Sequence, residues 1–240
     1  MNAVLHRIRY CLKLYLTRTR LEEREYIIDP TRKLVYAVNS KVACSSIKAA
    51  MFAQDIPDDY SIHHVTKSGN VYRKFGKLTA EEASWFSFSY VRNPFDRLVS
   101  CYESKYHHDI KMGQPNNFAD YLDGLIAEDR GFDRFARQVC AIPSRMMDRH
   151  FMIQSDIMGG VQHVAKYEDM AEDFAEIQRK YDLKPLPHFN NSGGSRRDWR
   201  AYYTTETAKL VHKKYKKDFE RFGYEDSYRE LLDYLKQQGK

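Results

Sequence analysis

The sequence predicts an α/β fold in which helices cover a central parallel sheet, because it contains two successive strand–loop–helix units. The first unit begins with a β-branched and aromatic run over residues 33–38, and residues 47–54 follow it with a helical pattern. The second begins with the strand pattern of residues 85–91 (WFSFSYV), and Pro94 then suits the first turn of a helix predicted over residues 95–106. Repeated strand–helix alternation favours a parallel sheet.

The remaining chain supplies further elements and two loops. Residues 60–80 are polar and are predicted as a loop, and residues 184–195 are predicted as a second loop because they contain two prolines and two glycines. The other predicted elements are a strand over residues 161–167 and helices over residues 117–139 (with a break at Gly131), 204–217 and 226–238.

Length and composition exclude several classes of protein. A chain of 240 residues can bury the core of one α/β domain. Its 42% hydrophobic and 14% aromatic content excludes a disordered chain, and no apolar run approaches the roughly 18 residues that a transmembrane helix needs. Four cysteines in 240 residues are too few for a disulfide scaffold. They form no CxxC pair, and no His/Cys cluster has zinc spacing, so the sequence predicts reduced thiols.

The formal charge of +6 is concentrated in two segments. Residues 1–20 carry +5 and residues 196–221 carry another +5, so the rest of the chain is slightly acidic. This distribution indicates an anionic partner and disfavours a protein that coats nucleic acid. Residues 1–25 are predicted as a basic amphipathic segment whose helix, over residues 4–16, either packs on the domain or lies on an anionic membrane surface. Residues 26–240 are predicted as a single domain.

The loop of the first unit has the residues of an anion site. Lys41 lies in the loop, and Ser45 and Ser46 lie where either hydroxyl can cap the following helix. Backbone N–H groups at a helix N-terminus bind anions well when a lysine is near. The loop has no glycine and lacks the Walker A pattern that nucleoside triphosphate kinases use. A capped helix with a surface lysine is the alternative interpretation.

The second unit offers a second anion site. Arg92 leaves the strand at its carboxyl end, where open α/β sheets bind ligands, and Ser100 lies inside the following helix. The guanidinium group of an arginine matches phosphate geometry, so Arg92 and Ser100 can converge on one phosphate. The alternative is that the charges of this segment, Asp96 and Arg97, only face solvent on the helix surface.

Together the two motifs resemble those of carbohydrate sulfotransferases, in particular the branch that contains chondroitin, dermatan and HNK-1 sulfotransferases and their bacterial relatives. Residues 41–48 (KVACSSIK) resemble the 5′-phosphosulfate loop of that branch, and residues 92–102 (RNPFDRLVSCY) resemble its 3′-phosphate motif. Residues 186–224 resemble its C-terminal region, so the resemblance covers about residues 33–225. It implies a P-loop NTPase-like three-layer fold with a central parallel sheet flanked by helices.

The resemblance also implies a donor and the residues that hold it. The donor is 3′-phosphoadenosine 5′-phosphosulfate (PAPS), the nucleotide product is adenosine 3′,5′-bisphosphate, and no metal is implied. Arg92 and Ser100 would hold the 3′-phosphate, and Lys41 would also stabilise the charge on the leaving phosphate. The residues implied to hold the 5′-phosphosulfate are Lys41, Val42, Ala43, Cys44, Ser45 and Ser46.

Two further groups are candidates for the catalytic site. A base must take the proton of the acceptor hydroxyl, and the leading candidates are His63 and His64, which lie between the two motifs. His188 and Glu168 are the reserve candidates. Arg196 and Arg197 follow two glycines and are predicted to close over the donor, with a solvated hinge as the alternative.

The sequence therefore predicts PAPS-dependent O-sulfation of a carbohydrate acceptor, which would be a glycan, a polysaccharide or a glycolipid. The alternatives are a nucleotide or small-molecule kinase on a related fold and a non-catalytic anion-binding module. The expected location is the cytoplasm of a bacterium, with peripheral contact to the inner membrane through residues 1–20, or the Golgi if a membrane anchor has been removed. Nucleic acid is not expected as a partner.

Overall fold

The computed structural model describes seven parts of the chain. They are residues 24–54, 62–107, 118, 121–122, 124–126, 131–187 and 198–239. The predicted basic helix over residues 4–16, and the loop residues 188–197, lie outside them. Among the helices within these parts, none has the length and apolar character that crossing a membrane requires.

The described residues form strands in the first two thirds of the chain and end in a run of helices. The strands are β1 (Glu25–Asp29), β2 (Leu34–Ala37), β3 (Lys67–Ser68), β4 (Val71–Phe75), β5 (Phe86–Val91) and β6 (His163–Lys166). The α-helices are α1 (Cys44–Phe52), α2 (Ala80–Ser84), α3 (Pro94–Tyr102), α4 (Phe132–Ala141), α5 (Gln154–Ile157), α6 (Met170–Tyr181), α7 (Thr205–Lys214), α8 (Lys216–Phe222) and α9 (Glu225–Gln237).

The six strands form one mixed sheet in the order β3-β4-β1-β2-β5-β6. The strands β2, β5 and β6 run parallel to one another, as the two strand–loop–helix units predict. The strands β1, β4 and β3 extend the sheet through antiparallel pairs. The predicted α/β class is confirmed. Because β2, β5 and β6 are parallel, the loops that leave their carboxyl ends lie at the same end of the sheet.

The strands β1 and β2 are buried on both faces of the sheet, and the alternation of their side chains shows this directly. On one face, Ile27 of β1 and Tyr36 of β2 belong to a core that includes Ile47 of α1 and Phe174 of α6. On the other face, the residues next to Ile27 and Tyr36 along the same strands, including Val35, belong to a second cluster. Successive residues of a strand point to opposite faces, so each of these strands contributes to both clusters.

The antiparallel part of the sheet was not predicted. No strand was predicted at β1, and the predicted loop over residues 60–80 is wrong because it contains β3 and β4. The signals were present but short: Gly69 and Asn70 form a two-residue hairpin turn, with Gly69 at a φ of 58°. Two adjacent charged residues, Arg73 and Lys74, interrupt β4, which is half-buried over most of its length, so its hydrophobic pattern is weak.

By their internal contacts, the residues divide into two compact units. Within the part of the chain that the structure describes, the sheet unit comprises the residues up to Arg92 and those of 154–187, and it contains all six strands named above together with α1, α2, α5 and α6. The helical unit comprises the described residues of 93–153 and 198–239 and contains α3, α4, α7, α8 and α9. The single domain predicted over residues 26–240 stays a prediction.

The helical unit is organised around Phe95, the second residue of α3. Its ring stacks on Trp199 at a centroid distance of 5.7 Å and lies 4.9 Å from the ring of Phe219. The hydroxyl of Tyr203 donates to the carbonyl oxygen of Phe95 at 3.0 Å. These contacts come from the C-terminal helical region, where the helices predicted over residues 204–217 and 226–238 are confirmed as α7 and α9. The first of them ends earlier than predicted, at Lys214, and α8 follows it as a separate helix.

Arg97 contradicts the surface interpretation of the charges on α3. It is buried and donates to the carbonyl oxygens of Met152 at 2.7 Å and Arg149 at 3.2 Å. A guanidinium group provides several donors in one plane, so it can satisfy two backbone carbonyls at once. Arg97 is therefore a structural residue of the helical unit, while Asp96 is half-buried.

Candidate functional site

The loop between β2 and α1 turns into the helix through two left-handed residues that are not glycines. Lys41 has a φ of 69° and Ala43 a φ of 48°. Each such residue costs about 1–2 kcal/mol, which the surrounding structure must offset, and strain of this kind concentrates at functional loops. Successive backbone N–H groups in a turn that contains left-handed residues can converge on an anion.

The start of α1 has no side-chain cap, so the predicted capping role of the two serines is wrong. The N-cap is Ala43, and no side chain accepts a hydrogen bond at that position. Ser45 instead contacts His63, and Ser46 is buried in the helix. The N–H groups of the first helical turn lack partners within the helix, and they are the part of a helix that attracts negative charge.

Arg92 connects the end of β5 to this loop. Its Nη1 donates to the carbonyl oxygen of Lys41 at 3.0 Å, and its guanidinium carbon lies 4.7 Å from the centre of the Tyr167 ring. The side chain is buried, with 4% of the residue exposed. Arg92, the first residue of the second motif, therefore contacts the loop of the first motif within the sheet unit, through the backbone carbonyl of Lys41. A guanidinium has five donors, so donation to Lys41 and binding of a phosphate are compatible.

Gln154 holds the backbone of Arg92 from the other side. The side-chain amide of Gln154 accepts from the N–H of Arg92 at 3.0 Å and donates to its carbonyl oxygen at 2.8 Å. The same Gln154 oxygen accepts from the amide of Asn39, which also donates to the carbonyl oxygen of Tyr90. Both amides are fully buried. Gln154 could not be found from the sequence because it lies 62 positions from Arg92, and without it nothing distinguishes Asn39 from the other polar residues of its loop.

The structure separates the two histidines that the sequence put forward together. His63 is half-buried in a 3₁₀ turn over Ile62–His64, and its Nε2 lies 3.1 Å from the hydroxyl oxygen of Ser45. His64 is exposed. Only His63 is therefore brought to the helix start that follows the loop.

Behind His63 lies a buried ion-pair cluster that sequence reasoning also missed. Lys48 Nζ is 2.5 Å from Glu25 Oε1 and 3.5 Å from His63 Nδ1. Arg73 Nε is 3.1 Å from the same Glu25 oxygen, and Arg73 Nη1 donates to the carbonyl oxygen of His63 at 2.6 Å. Burial lowers the pKa of Lys48, and the Glu25 carboxylate opposes that shift. The helical spacing of Ser45 and Lys48 could have indicated that both reach the same partner.

The other predicted site residues are placed as follows. Val42 is fully buried, and Cys44 is half-buried at the first position of α1. Ser100 is half-buried in α3, which belongs to the helical unit. Glu168 is exposed in the turn that follows β6. His188, Arg196 and Arg197 lie outside the described residues.

Comparison with known proteins identifies the family of the chain. Residues 24–225 match the profile described as the sulfotransferase family. Carbohydrate sulfotransferase 12 of Xenopus laevis is 22% identical over 261 residues, an alignment that covers 82% of this chain and 59% of the relative. The chain thus spans less than two thirds of the length of that relative. No solved structure matches the chain significantly.

The family match includes the whole of the site described above. Its range contains the loop with Lys41 and Ser45, the arginine at the end of β5 and the turn that carries His63. It also extends over both compact units, since it reaches α8 and the start of α9. Because the match covers most of the sequence, the chain belongs to the sulfotransferase family.

Proposed function

We propose that the protein transfers a sulfuryl group from PAPS to a hydroxyl of a carbohydrate. The observation that carries the proposal is the hydrogen bond from Arg92 to the carbonyl oxygen of Lys41, which joins the first residue of the second predicted anion-binding motif to the loop of the first within the sheet unit. A nucleotide with phosphate groups at both its 3′ and 5′ positions needs two such motifs. Membership in the sulfotransferase family and the name of the Xenopus relative support the reaction and the carbohydrate acceptor.

The residues of the loop fit the 5′-phosphosulfate end of this donor. The two left-handed residues and the uncapped start of α1 present N–H groups, and Lys41 adds a positive charge. Lys41, Ser45 and Ser46 would hold the phosphosulfate, together with the backbone of residues 42–44. Arg92 would hold the 3′-phosphate, and Ser100 is assigned to the same phosphate by the sequence resemblance alone.

The bound donor would supply the sulfuryl group. The bond between sulfur and the phosphate oxygen breaks, and its electron pair passes to that oxygen. At the same time the acceptor oxygen bonds to sulfur, and the proton of the acceptor hydroxyl passes to a base. Lys41 would stabilise the charge that collects on the phosphate. Of the two candidate histidines we place His63 at the phosphosulfate end of the site, because it contacts Ser45 whereas His64 is exposed. Closure by Arg196 and Arg197, and membrane contact through residues 1–20, stay predictions from the sequence, as does a bacterial cytoplasmic location.

A thermal-shift assay of the full chain tests the proposal. Adenosine 3′,5′-bisphosphate should raise the melting temperature in the presence of EDTA, because none of the proposed contacts needs a metal, and binding to the folded state alone stabilises a protein. Stabilisation by Mg²⁺-ATP and not by the bisphosphate would contradict the proposal and favour the kinase alternative. If the bisphosphate binds but labelled PAPS sulfates no member of a broad glycan and glycolipid panel, the anion-binding module is favoured.

A further inference from the structure

The contacts of His63 differ at its two ring nitrogens. Nε2 faces the hydroxyl of Ser45 at 3.1 Å, which places it at the loop that we assign to the phosphosulfate. Nδ1 faces the amino group of Lys48 at 3.5 Å. A neutral imidazole carries one hydrogen, so the group that faces Nδ1 determines which nitrogen is left to interact with a ligand.

Lys48 is held in place as a donor. Its side chain is 1% exposed, and its amino group lies 2.5 Å from the carboxylate of Glu25. Burial lowers the pKa of Lys48, but the Glu25 carboxylate at that distance opposes the shift and favours the ammonium form. An ammonium group has three hydrogens and no lone pair. It can therefore donate to Glu25 and to His63 Nδ1 but cannot accept from either. With Nδ1 as an acceptor, the hydrogen of the neutral ring is on Nε2.

The backbone of His63 is held by the same carboxylate. Arg73 contacts Glu25 through Nε at 3.1 Å and donates through Nη1 to the carbonyl oxygen of His63 at 2.6 Å. Glu25 thus orders two cations, of which Lys48 contacts the ring and Arg73 contacts the backbone. The orientation of the ring is fixed from two directions, with Nε2 directed at Ser45.

From this arrangement we infer that His63 acts at the site as a hydrogen-bond donor through Nε2–H, held in that tautomer by Lys48, and not as the base that removes the proton of the acceptor. The inference rests on the proposed function, since it takes the loop at Ser45 as the phosphosulfate site. Nε2–H would donate to an oxygen of the phosphosulfate, where charge-assisted hydrogen bonds are strong. Glu25, Lys48 and Arg73 are then positioning residues.

The proton of the acceptor hydroxyl then needs another destination, and Glu168 is a suitable carboxylate. It follows β6, and the loops after β2, β5 and β6 lie at the same end of the sheet. Glu168 is exposed, so an acceptor can reach it. In this assignment His63 keeps its hydrogen throughout the transfer, and the proton of the acceptor passes to a carboxylate oxygen of Glu168.

The tautomer of His63 can be measured without any acceptor. In ¹⁵N-histidine-labelled full-length protein at neutral pH, the ring nitrogens of His63 should show the Nε2–H form, with the signal assigned by its loss in His63→Gln. The variant Lys48→Met should convert the signal to a mixture of tautomers. The matched control is Lys74→Met, which removes the lysine of a different buried pair and should leave the His63 signal unchanged. An Nδ1–H form or an imidazolium in the wild-type protein would overturn the inference.

Donor affinity provides a second readout that separates the two roles. His63→Ala should weaken PAPS binding about 10-fold, as for a lost hydrogen bond to a charged group, whereas His63→Gln should stay within about 3-fold of wild type because an amide N–H can replace Nε2–H. A pure base contributes nothing to ground-state donor binding, so unchanged PAPS affinity in His63→Ala would contradict the inference. If adenosine 3′,5′-bisphosphate itself fails to bind the wild-type protein, the proposed function fails, whatever the tautomer is.

Discussion

Two glutamate–lysine pairs with shielded carboxylates in the sheet unit differ in the other groups that their side chains contact. Glu25 of β1 contacts Lys48, and Glu82 of α2 contacts Lys74. The Lys48 side chain is 1% exposed, and its amino group contacts His63 at the candidate site. The Lys74 side chain is 24% exposed, and its carboxylate partner, Glu82, caps the start of the short helix α2.

The Glu82 pair is part of a closed capping box. The hydroxyl of Thr79 accepts from the N–H of Glu82 at 3.1 Å, and the Glu82 carboxylate accepts from the N–H of Thr79 at 2.6 Å. The hydroxyl of Tyr72 also donates to the carboxylate of Glu82 at 2.7 Å. All of these groups satisfy one another locally, so the pair stabilises the junction between β4 and α2.

The comparison teaches that the chemistry of a buried ion pair does not reveal its role. Both pairs join a lysine to a shielded carboxylate. Of the two, only the Glu25 pair contacts a side chain, His63, that in turn contacts the helix start after the strained loop. We therefore expect changes around the loop and Lys48 to alter binding and turnover, and changes around Glu82 to alter the free energy of unfolding alone.

The largest effect is expected from Lys41→Ala. Removing a charge that stabilises the leaving phosphate should lower kcat by roughly 100-fold or more, because groups of this kind act mainly on the transition state. The affinity for adenosine 3′,5′-bisphosphate should fall much less. Steady-state kinetics with the best acceptor of a glycan panel and a titration with the bisphosphate measure the two quantities. Equal losses in both would assign Lys41 to ground-state binding only.

The next largest effect is expected on stability when Lys48 is removed. Lys48→Met leaves a buried Glu25 with only one of the two cations described beside it, and breaking a buried pair costs about 3–5 kcal/mol when no partner remains. Retention of Arg73 should reduce the cost to about 2 kcal/mol on the same scale. Chemical denaturation measures it, with Lys74→Met as the control at about 1 kcal/mol, since that lysine is partly exposed. A larger loss in the Lys74 variant would reverse the comparison.

The Glu82 pair predicts a pH dependence of stability. Burial raises the pKa of Glu82, but hydrogen bonds from Lys74, the N–H of Thr79 and Tyr72 outweigh burial and lower it to about 2. A carboxyl whose pKa is lowered on folding stabilises the protein above its unfolded pKa and loses that contribution as the pH falls through the folded value. The stability advantage of wild type over Glu82→Gln, about 2 kcal/mol at neutral pH, should therefore shrink between pH 4.5 and 2.

Two observations would count against this assignment for Glu82. The first is a stability difference between wild type and Glu82→Gln that stays constant over the acidic range in denaturant titrations. The second is a change in bisphosphate affinity in the same variant at neutral pH, because the capping box has no described contact with the loop that carries Lys41.

The smallest effect is expected from Thr79→Ala, which removes the hydroxyl of the capping box. The loss of an N-cap costs about 1 kcal/mol of unfolding free energy. Thr79→Ser keeps the hydroxyl and should retain most of the stability, so this pair of variants separates the cap from other effects of the substitution. Thermal unfolding measures the loss, and PAPS affinity should be the same in both variants.

Much of the site could be predicted because its main residues are local in sequence. Lys41, Ser45 and Arg92 follow strands whose apolar patterns are strong, and their order resembles a known family. Gln154 and Glu25 could not be predicted in the same way. Gln154 reaches Arg92 from 62 positions away, and Glu25 lies on a strand whose burial depends on the unpredicted antiparallel neighbours. Such contacts follow from tertiary packing and leave no short-range pattern.

The choice between His63 and His64 shows the same limit at close range. The two are neighbours, and both have an imidazole side chain that can accept or donate a proton. The 3₁₀ turn directs only His63 at Ser45, and its position depends on Arg73 of β4, in a segment that was predicted as a loop. Because β4 was not predicted, the contact that positions His63 and distinguishes it from His64 could not be predicted either.

The central claim is that Arg92 and the loop after β2 form the two ends of one nucleotide site, and a ligand–variant cycle tests it most directly. Calorimetry in EDTA would compare adenosine 3′,5′-bisphosphate with adenosine 5′-monophosphate in wild type and Arg92→Ala, with Arg32→Ala as the control because Arg32 contacts Asp29 instead. Wild type and the control should prefer the bisphosphate by about 2 kcal/mol, or roughly 30-fold, and Arg92→Ala should lose that preference. An unchanged preference in Arg92→Ala would contradict the account.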